Sequence, residues 1–198
     1  MYSKEQLEKA LTLTGKKLEL KASPQVIIVV CGGSSLIISG LLSRATKDVD
    51  VVAVGDKDER GALNFREAFP LPEILLEASK EVSHDLGMNE EWLNPGPGNI
   101  MKEGLPSGYI ERSNQRIYGG KLTVYFLGRY DQIHLKLFAA ADQGPGRHVD
   151  DLLALNPVEE EIKAAAGWAL KHDSSEGFRS VLKDMLRELG YESSSEEI

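Results

Sequence analysis

The chain has 198 residues, of which 41% are hydrophobic and 27% are charged, and its formal net charge is -8. This composition is typical of a globular protein, and the negative charge argues against a general DNA-binding surface, because phosphate backbones are bound by clustered basic residues. A single cysteine excludes an internal disulfide. No apolar run approaches the roughly 20 residues of a membrane span, and the N-terminus carries no apolar signal segment, so we expect a cytoplasmic protein without a membrane partner.

The N-terminal part of the chain predicts helices alternating with strands. A capping box from Ser3 to Gln6 opens an amphipathic helix that ends near Gly15 or slightly later. The β-branched run 25–31 predicts a strand that is buried on both faces. After it, residues 34–44 fit a short helix, residues 49–54 a second strand and residues 55–62 a loop.

The rest of the chain changes from mixed structure to helices. Residues 64–88 predict a helical region interrupted by two prolines, and residues 108–128 predict a β-meander with turns at Asn114 and at Gly119–Gly120. From Tyr130 onwards the pattern is helical. We therefore predict an α/β (α+β) protein in three parts. These are a core with an N-terminal helix over 1–129, a helical region packed on it over 130–190, and a flexible tail over 191–198.

The sequence Gly32-Gly33-Ser34-Ser35 joins the first strand to a helix. Such a turn exposes backbone N–H groups at the positive end of a helix, where phosphate binds readily. It lacks the lysine of a Walker A loop and the spacing of a dinucleotide fingerprint. Tight packing of a strand against a helix would also explain the small residues, and the turn alone leaves both interpretations open.

Asp48 and Asp50 are two carboxylates at the start of an otherwise apolar strand. Alternation along the strand places both on one face, about 7 Å apart. Like charges this close are unfavourable unless a cation lies between them, and oxygen ligands of this kind suit Mg²⁺ or Mn²⁺. The alternative is a sheet edge at which both carboxylates face water.

Together, the Gly-Gly-Ser turn, the helix after it and the Asp48-x-Asp50 strand resemble the signature of the polymerase β-like nucleotidyltransferase superfamily. The segment 43–52 resembles more closely a branch of nucleotidyltransferase-like domains of unknown function that is related to the abortive-infection (AbiEii-type) toxins. The likeness covers most of residues 26–189 and includes the segments 92–94, 105–112, 135–140 and 147–155.

The resemblance implies a mixed sheet flanked by helices, a helical C-terminal region and a two-metal site. Asp48 and Asp50 would hold the metal ions, and the turn at 32–35 would hold the triphosphate of a nucleoside triphosphate. In this interpretation a nucleotidyl group passes to an unknown hydroxyl, with RNA as one candidate acceptor. The alternative is a non-catalytic nucleotide-binding or regulatory protein that acts with a protein partner.

Three polar residues of the helical region correspond to active-site positions of the toxin relatives. Lys136 lies within an apolar helix, where a buried lysine requires a phosphate or carboxylate nearby. A surface lysine whose charged end reaches solvent is the alternative. The resemblance makes Lys136 a catalytic candidate and Asp151 its pairing partner. His148 stands where many relatives have an aspartate.

Four further residues complete the candidate site. Superfamily transferases usually supply a third carboxylate from a later strand, and residues 121–127 contain no acid. Glu111, predicted on the preceding strand, and Asp131, at the head of the next helix, are the candidates for this role. Arg44 and Arg112 are candidates for phosphate contacts, since guanidinium groups match phosphate oxygens, although surface ion pairs are the commoner use of arginine.

Overall fold

The computed structural model describes residues 1–97 and 100–198, which form two compact units. The first, here called the sheet unit, contains residues 1–104 and 109–128. The second, here called the helical unit, contains residues 105–108 and 129–198. None of the described helices is long and apolar enough to cross a membrane.

The sheet unit combines strands with helices that cover them. Its elements are α1 (Lys4–Leu20), β1 (Val26–Cys31), α2 (Gly32–Ile38), β2 (Val49–Lys57), β3 (Leu63–Glu67), α3 (Glu73–Leu86), β4 (Leu93–Pro95), α4 (Ile100–Glu103), α5 (Tyr109–Arg112), β5 (Asn114–Tyr118) and β6 (Leu122–Phe126). The helical unit contains α6 (Arg129–Gln143), α7 (Arg147–Ala154), α8 (Glu159–His172), α9 (Glu176–Glu188) and α10 (Glu192–Glu196). The predicted α/β (α+β) class with a mixed sheet is confirmed.

In the sheet, β1 occupies the centre of the strand order β3-β2-β1-β6-β5, and β4 pairs with β2 outside this path. β1 runs antiparallel to β2 and parallel to β6. All six residues of β1 are buried, as the unbroken β-branched run predicts. Because β1 is central and buried on both faces, it fixes the position of the residues that follow its carboxyl end, beginning with Gly32.

Helix α1 begins with the predicted capping box. The Gln6 backbone N–H donates to Ser3 Oγ at 3.3 Å, and the Ser3 backbone N–H donates to Gln6 Oε1 at 2.9 Å. The helix continues beyond Gly15 to Leu20. A Cβ atom at Gly15 would lie 1.9 Å from the carbonyl oxygen of Tyr118, so the missing side chain serves close packing rather than helix termination.

Ion pairs join the exposed sides of α1 and α3. Lys17 Nζ lies 2.8 Å from Asp85 Oδ2, and Lys21 Nζ lies 2.9 Å from Glu81 Oε1. Hydrogen bonds from Lys21 and then Lys17 hold the pKa of Glu81 below its usual value. These pairs are solvent-exposed and contribute little to the stability of the fold.

Three local predictions differ from the structure. Helix α2 ends at Ile38 instead of residue 44, because Gly40 adopts φ +73°, which a right-handed helix cannot include. Residues 64–67, predicted within a helical region, belong to the edge strand β3 (Leu63–Glu67), which pairs with β2. Residues 109–112, predicted as the start of a meander, form the short helix α5, so the strand position predicted for Glu111 is wrong.

The helical unit is built around α6. Trp168 of α8 packs edge-on against Phe138 of α6, with ring centroids 6.0 Å apart. Arg129, the first residue of α6, donates through two nitrogens to the Glu161 carboxylate at 2.6 and 2.9 Å. This pair holds the pKa of Glu161 below its ordinary value. The beginning of α6 is thereby tied to α8.

The end of the chain, predicted as a flexible tail over 191–198, contains α10. Ser194 donates from its backbone N–H and from its hydroxyl to Glu159 Oε1, at 2.9 and 2.6 Å. Ser194 and Ser195 are buried. This contact between α10 and α8 explains why the segment is helical instead of flexible. The polar composition of the segment does not reveal the contact.

The contact at Gly15 gives the first prediction. Replacing Gly15 with alanine should lower the free energy of unfolding by roughly 2–3 kcal/mol, because the methyl group would collide with backbone. Gly167 in α8 is the matched control: it is exposed, nothing lies within 4 Å of a Cβ there, and Gly167→Ala should stabilise by about 0.5–1 kcal/mol. Urea denaturation measures both, and equal effects would contradict the packing role of Gly15.

Candidate functional site

The candidate site of the sheet unit lies where β1 passes into α2. In the antiparallel pair of β1 and β2, Cys31 is opposite Asp50. This register brings the Asp50 side chain to the first residue of α2, Gly32. A Cβ atom at Gly32 would lie only 2.7 Å from Asp50 Oδ2, and Gly32 has φ +68°. Only glycine satisfies both constraints, so the turn and the carboxylate that the sequence singled out are in direct contact.

Gly33 is enclosed by the segment that connects α2 to β2. A Cβ atom there would lie 2.6 Å from Thr46 Oγ1 and 3.1 Å from Arg44 Nη2. The backbones of Thr46 and Tyr2 exchange two hydrogen bonds, of 2.6 and 3.1 Å, which fix this segment to the start of the chain. The structure therefore brings Gly32, Gly33, Arg44 and Asp50 together.

Sequence reasoning missed Thr46. It is 2% exposed, and its hydroxyl lies at the glycine turn, although it was not among the candidate residues. The available signal was its position inside the segment 43–52, which carries the closest part of the resemblance. No local pattern marks a threonine that contacts a glycine 13 residues earlier.

Ser34 and Ser35 attach α2 to the sheet. The fully buried Ser34 hydroxyl donates to the Cys31 carbonyl at 3.3 Å, and the fully buried Ser35 hydroxyl donates to the Leu127 carbonyl at 2.9 Å. Both hydroxyls therefore support the position of the turn. Their predicted contacts with a triphosphate stay predictions.

Asp48 lies immediately before β2, beside an open depression of about 440 Å³. The depression is also lined by Lys47, Asn89, Glu91 and Asn94. Strand β4 pairs in parallel with β2 and places Asn94 opposite Asp50. Both aspartates are half-buried. The region around Asp48 thus remains open enough to admit a small molecule.

The donor chemistry of Asp48 and Asp50 fits Mg²⁺ or Mn²⁺. Magnesium is commonly held by one or two carboxylates, while waters and substrate phosphates supply its other ligands. Within residues 1–97 and 100–198, no three His, Cys, Asp or Glu side chains lie close enough together to form a metal site without such help. A metal here would therefore depend on the substrate for part of its coordination.

The two candidates for a third carboxylate lie in different units. Glu111 is exposed on α5, in the sheet unit, and its charge adds to burial in raising the pKa of Tyr109 to about 12. Asp131 is fully buried in the first turn of α6, in the helical unit. Arg112 ends α5 with an exposed side chain. The roles of all three stay predictions.

In the helical unit, Lys136 forms a buried ion pair with Asp151. Lys136 Nζ lies 2.8 Å from Asp151 Oδ2, and the side chains are 7% and 3% exposed. The pairing implied by the resemblance is therefore present, and Lys136 is not the solvent-reaching surface lysine of the alternative. His148 lies on the same helix as Asp151, with Nε2 3.2 Å from Gln143 Oε1.

Comparison with known proteins identifies one family. A family model described as a nucleotidyltransferase of unknown function (DUF6036) matches residues 7–151. The match includes the glycine turn, both aspartates and Lys136, and it ends at Asp151. No curated protein and no solved structure matches the chain.

The contact between Gly32 and Asp50 can be tested against Gly40. Both glycines have positive φ, so an alanine at either position should cost about 1–2 kcal/mol of stability from backbone strain. Nothing lies within 4 Å of a Cβ at Gly40, whereas at Gly32 the Asp50 carboxylate must move. Gly32→Ala should therefore be the more destabilising change in thermal melts. A smaller loss than that of Gly40→Ala would show that the contact is not tight.

The ion pair of Lys136 and Asp151 gives a second stability test. Lys136→Met removes the ammonium group from the buried Asp151 carboxylate and should lower the free energy of unfolding by roughly 3–5 kcal/mol. The exposed pair of Arg187 and Asp184 is the control, and Arg187→Met should cost less than about 1 kcal/mol. Urea denaturation compares the two, and similar small losses would mean that Asp151 is stabilised without Lys136.

Proposed function

The chain belongs to this nucleotidyltransferase family, and we propose that it is a metal-dependent transferase that moves a nucleotidyl group from a nucleoside triphosphate to a hydroxyl acceptor. The observation that carries the proposal is the contact of the Asp50 carboxylate with the glycine turn at Gly32. A carboxylate beside the half-buried backbone of Gly32 matches the two needs of a metal–triphosphate complex, a hard anionic ligand and a close approach to the phosphates.

Different residues of the sheet unit would bind the metal ion and the phosphates of that complex. Asp48 and Asp50 would hold Mg²⁺ or Mn²⁺, which when bound neutralises triphosphate charge and activates the phosphorus for attack. Gly32, which is half-buried, would let phosphates approach the backbone of the turn, and Arg44, whose guanidinium lies at the buried Gly33, would donate to phosphate oxygens. Ser34 and Ser35 keep α2 in position, and their hydroxyl oxygens could still accept hydrogen bonds.

In the proposed reaction, the acceptor oxygen forms a bond to the α-phosphorus and pyrophosphate leaves with the oxygen that bridged it. The hydroxyl proton must pass to a base. We assign this role to Asp48, because it lines the depression that opens to solvent, where an acceptor could enter. The catalytic role of Lys136, with Asp151 and His148 supporting it, belongs to the proposal and depends on the resemblance alone.

For the acceptor we propose an RNA hydroxyl. The support is the resemblance of residues 43–52 to the AbiEii-type toxins, and on the same ground we propose a protein partner that controls the activity. The net charge of -8 means that RNA would be bound through local contacts rather than through an extended basic surface.

A second candidate function is nucleotide binding without transfer. The observation that favours it is the composition of β6 (Leu122–Phe126), which lacks the acidic residue that superfamily transferases usually carry on a later strand. Such a protein would bind the metal–nucleotide complex at the same turn and transmit its occupancy to a partner.

Metal and nucleotide should stabilise the wild-type protein together. At a hundredfold excess over Kd, a ligand specific to the native state adds on the order of 2.7 kcal/mol, so the melting temperature should rise with Mg²⁺ or Mn²⁺ plus a triphosphate. Asp48→Asn and Asp50→Asn should abolish the rise and leave the unliganded protein equally or slightly more stable, because they remove charge repulsion. Asp56→Asn, at an exposed position of β2, is the matched control and should respond like wild type.

Two results would contradict this interpretation. One is a wild-type protein whose melting temperature ignores both metal and nucleotide. The other is a loss of several kcal/mol in both asparagine variants without ligand, which would make the aspartates structural. Pyrophosphate release then separates the two candidate functions: we expect release from at least one of the four triphosphates with an RNA pool, and binding without release would favour the non-catalytic function.

A further inference from the structure

Gln132 of α6 is a buried amide without a hydrogen-bonding partner. Its side chain is fully buried, and neither Oε1 nor Nε2 finds a partner in the part of the chain that the structure describes. Most buried side-chain polar atoms are hydrogen-bonded, because leaving an amide unpaired costs roughly 1–3 kcal/mol. An unpaired donor and an unpaired acceptor on one buried side chain point to a bound molecule that supplies both partners.

Lys136 lies one helical turn beyond Gln132 on the same face of α6. An ammonium group has three donors, and in residues 1–97 and 100–198 the Asp151 carboxylate accounts for one of them. The neighbouring residues Ile133 and Leu137 are buried and apolar. Gln132 and Lys136 thus form a buried polar position with several donors and one acceptor still to be satisfied.

This combination restricts the chemistry of the ligand. A bare anion would satisfy the donors of Lys136 and Gln132 Nε2 but would leave Gln132 Oε1 unpaired. An apolar ligand would satisfy neither these donors nor this acceptor. The ligand must present an anionic oxygen next to an O–H or N–H donor, and a phosphorylated ribose has this arrangement, with its hydroxyls beside the phosphate.

We infer that Gln132 and Lys136 form a ribose phosphate site in the helical unit. Lys136 and Gln132 Nε2 donate to phosphate oxygens, and Gln132 Oε1 accepts a hydrogen bond from a ribose hydroxyl. The choice of a nucleotide as the source of this group rests on the proposed function. The same chemistry is offered by the triphosphate donor and by the 3′ end of an RNA acceptor, which the experiment distinguishes.

The test removes the amide and the ligand hydroxyl separately and together. Gln132→Leu deletes both polar atoms at similar volume, and Gln132→Met is a second variant with an unbranched side chain, in case the first fails to fold. Without ligand, both should melt at or above the wild-type temperature, because an unsatisfied buried amide has been removed. Gln115→Leu, at an exposed position of β5, is the matched control.

Titration calorimetry with Mg²⁺ compares each nucleoside triphosphate with its 2′,3′-dideoxy form, and a short RNA with the same RNA ending in 3′-deoxyribose. In one of these two pairs, wild type and Gln115→Leu should prefer the hydroxyl-bearing member by about tenfold, the value of one hydrogen bond to a buried group. Gln132→Leu and Gln132→Met should bind both members of that pair equally. The pair that responds identifies the source of the ribose phosphate.

The inference is overturned if the Gln132 variants keep the wild-type preference, or if wild type shows no preference in either pair, since the amide would then be satisfied by water alone. These outcomes differ from a failure of the proposed function. That failure would appear as triphosphate binding that ignores metal and the Asp50→Asn change, whatever the Gln132 variants do.

Discussion

The pairing of Cys31 with Asp50 is the constraint on which the candidate site depends. It sets the register of β1 and β2, so that a carboxylate arrives at the first residue of α2. A shift by one residue would turn Asp50 to the opposite face of the sheet and bring an apolar neighbour to the turn. Gly32 completes the arrangement, because a side chain there would occupy the space of the carboxylate. Strand register and one absent Cβ atom therefore create the site jointly.

The surrounding contacts hold this arrangement in place from two sides. Ser35 ties α2 to the end of β6 through the Leu127 carbonyl, and Leu127 in turn donates its backbone N–H to Val30 of β1. On the other side, Thr46 is joined to Tyr2 by two backbone hydrogen bonds. Groups that bind charged ligands work best when their supports are fixed before the ligand arrives. The turn meets that condition without contributions from long, mobile side chains.

Local signals in the sequence were sufficient for some parts of the fold and insufficient for others. The capping box at Ser3 and the apolar run of β1 are contiguous patterns, and both predictions are confirmed. The edge strand β3 carries only a short alternation of Leu63 and Phe65 with polar residues, and the helical pattern of the longer segment 64–88 obscures it. For the candidate site, the sequence supplied the glycines and aspartates. The contact of Thr46 with Gly33 and the unpaired amide of Gln132 arise only from tertiary structure, which no spacing rule describes.

The ion pairs between α1 and α3 affect how the protein meets other charged molecules. The net charge of -8 already includes Lys17 and Lys21, and because Asp85 and Glu81 neutralise them locally, these two cations do not form a basic patch for a polyanion. At low ionic strength the overall field therefore repels nucleic acid over distances of about 10 Å or more. Dissolved salt weakens this repulsion, whereas it weakens the attraction of a basic protein for the same partner. A polyanionic substrate would consequently be captured by short-range contacts, and moderate salt would assist its approach.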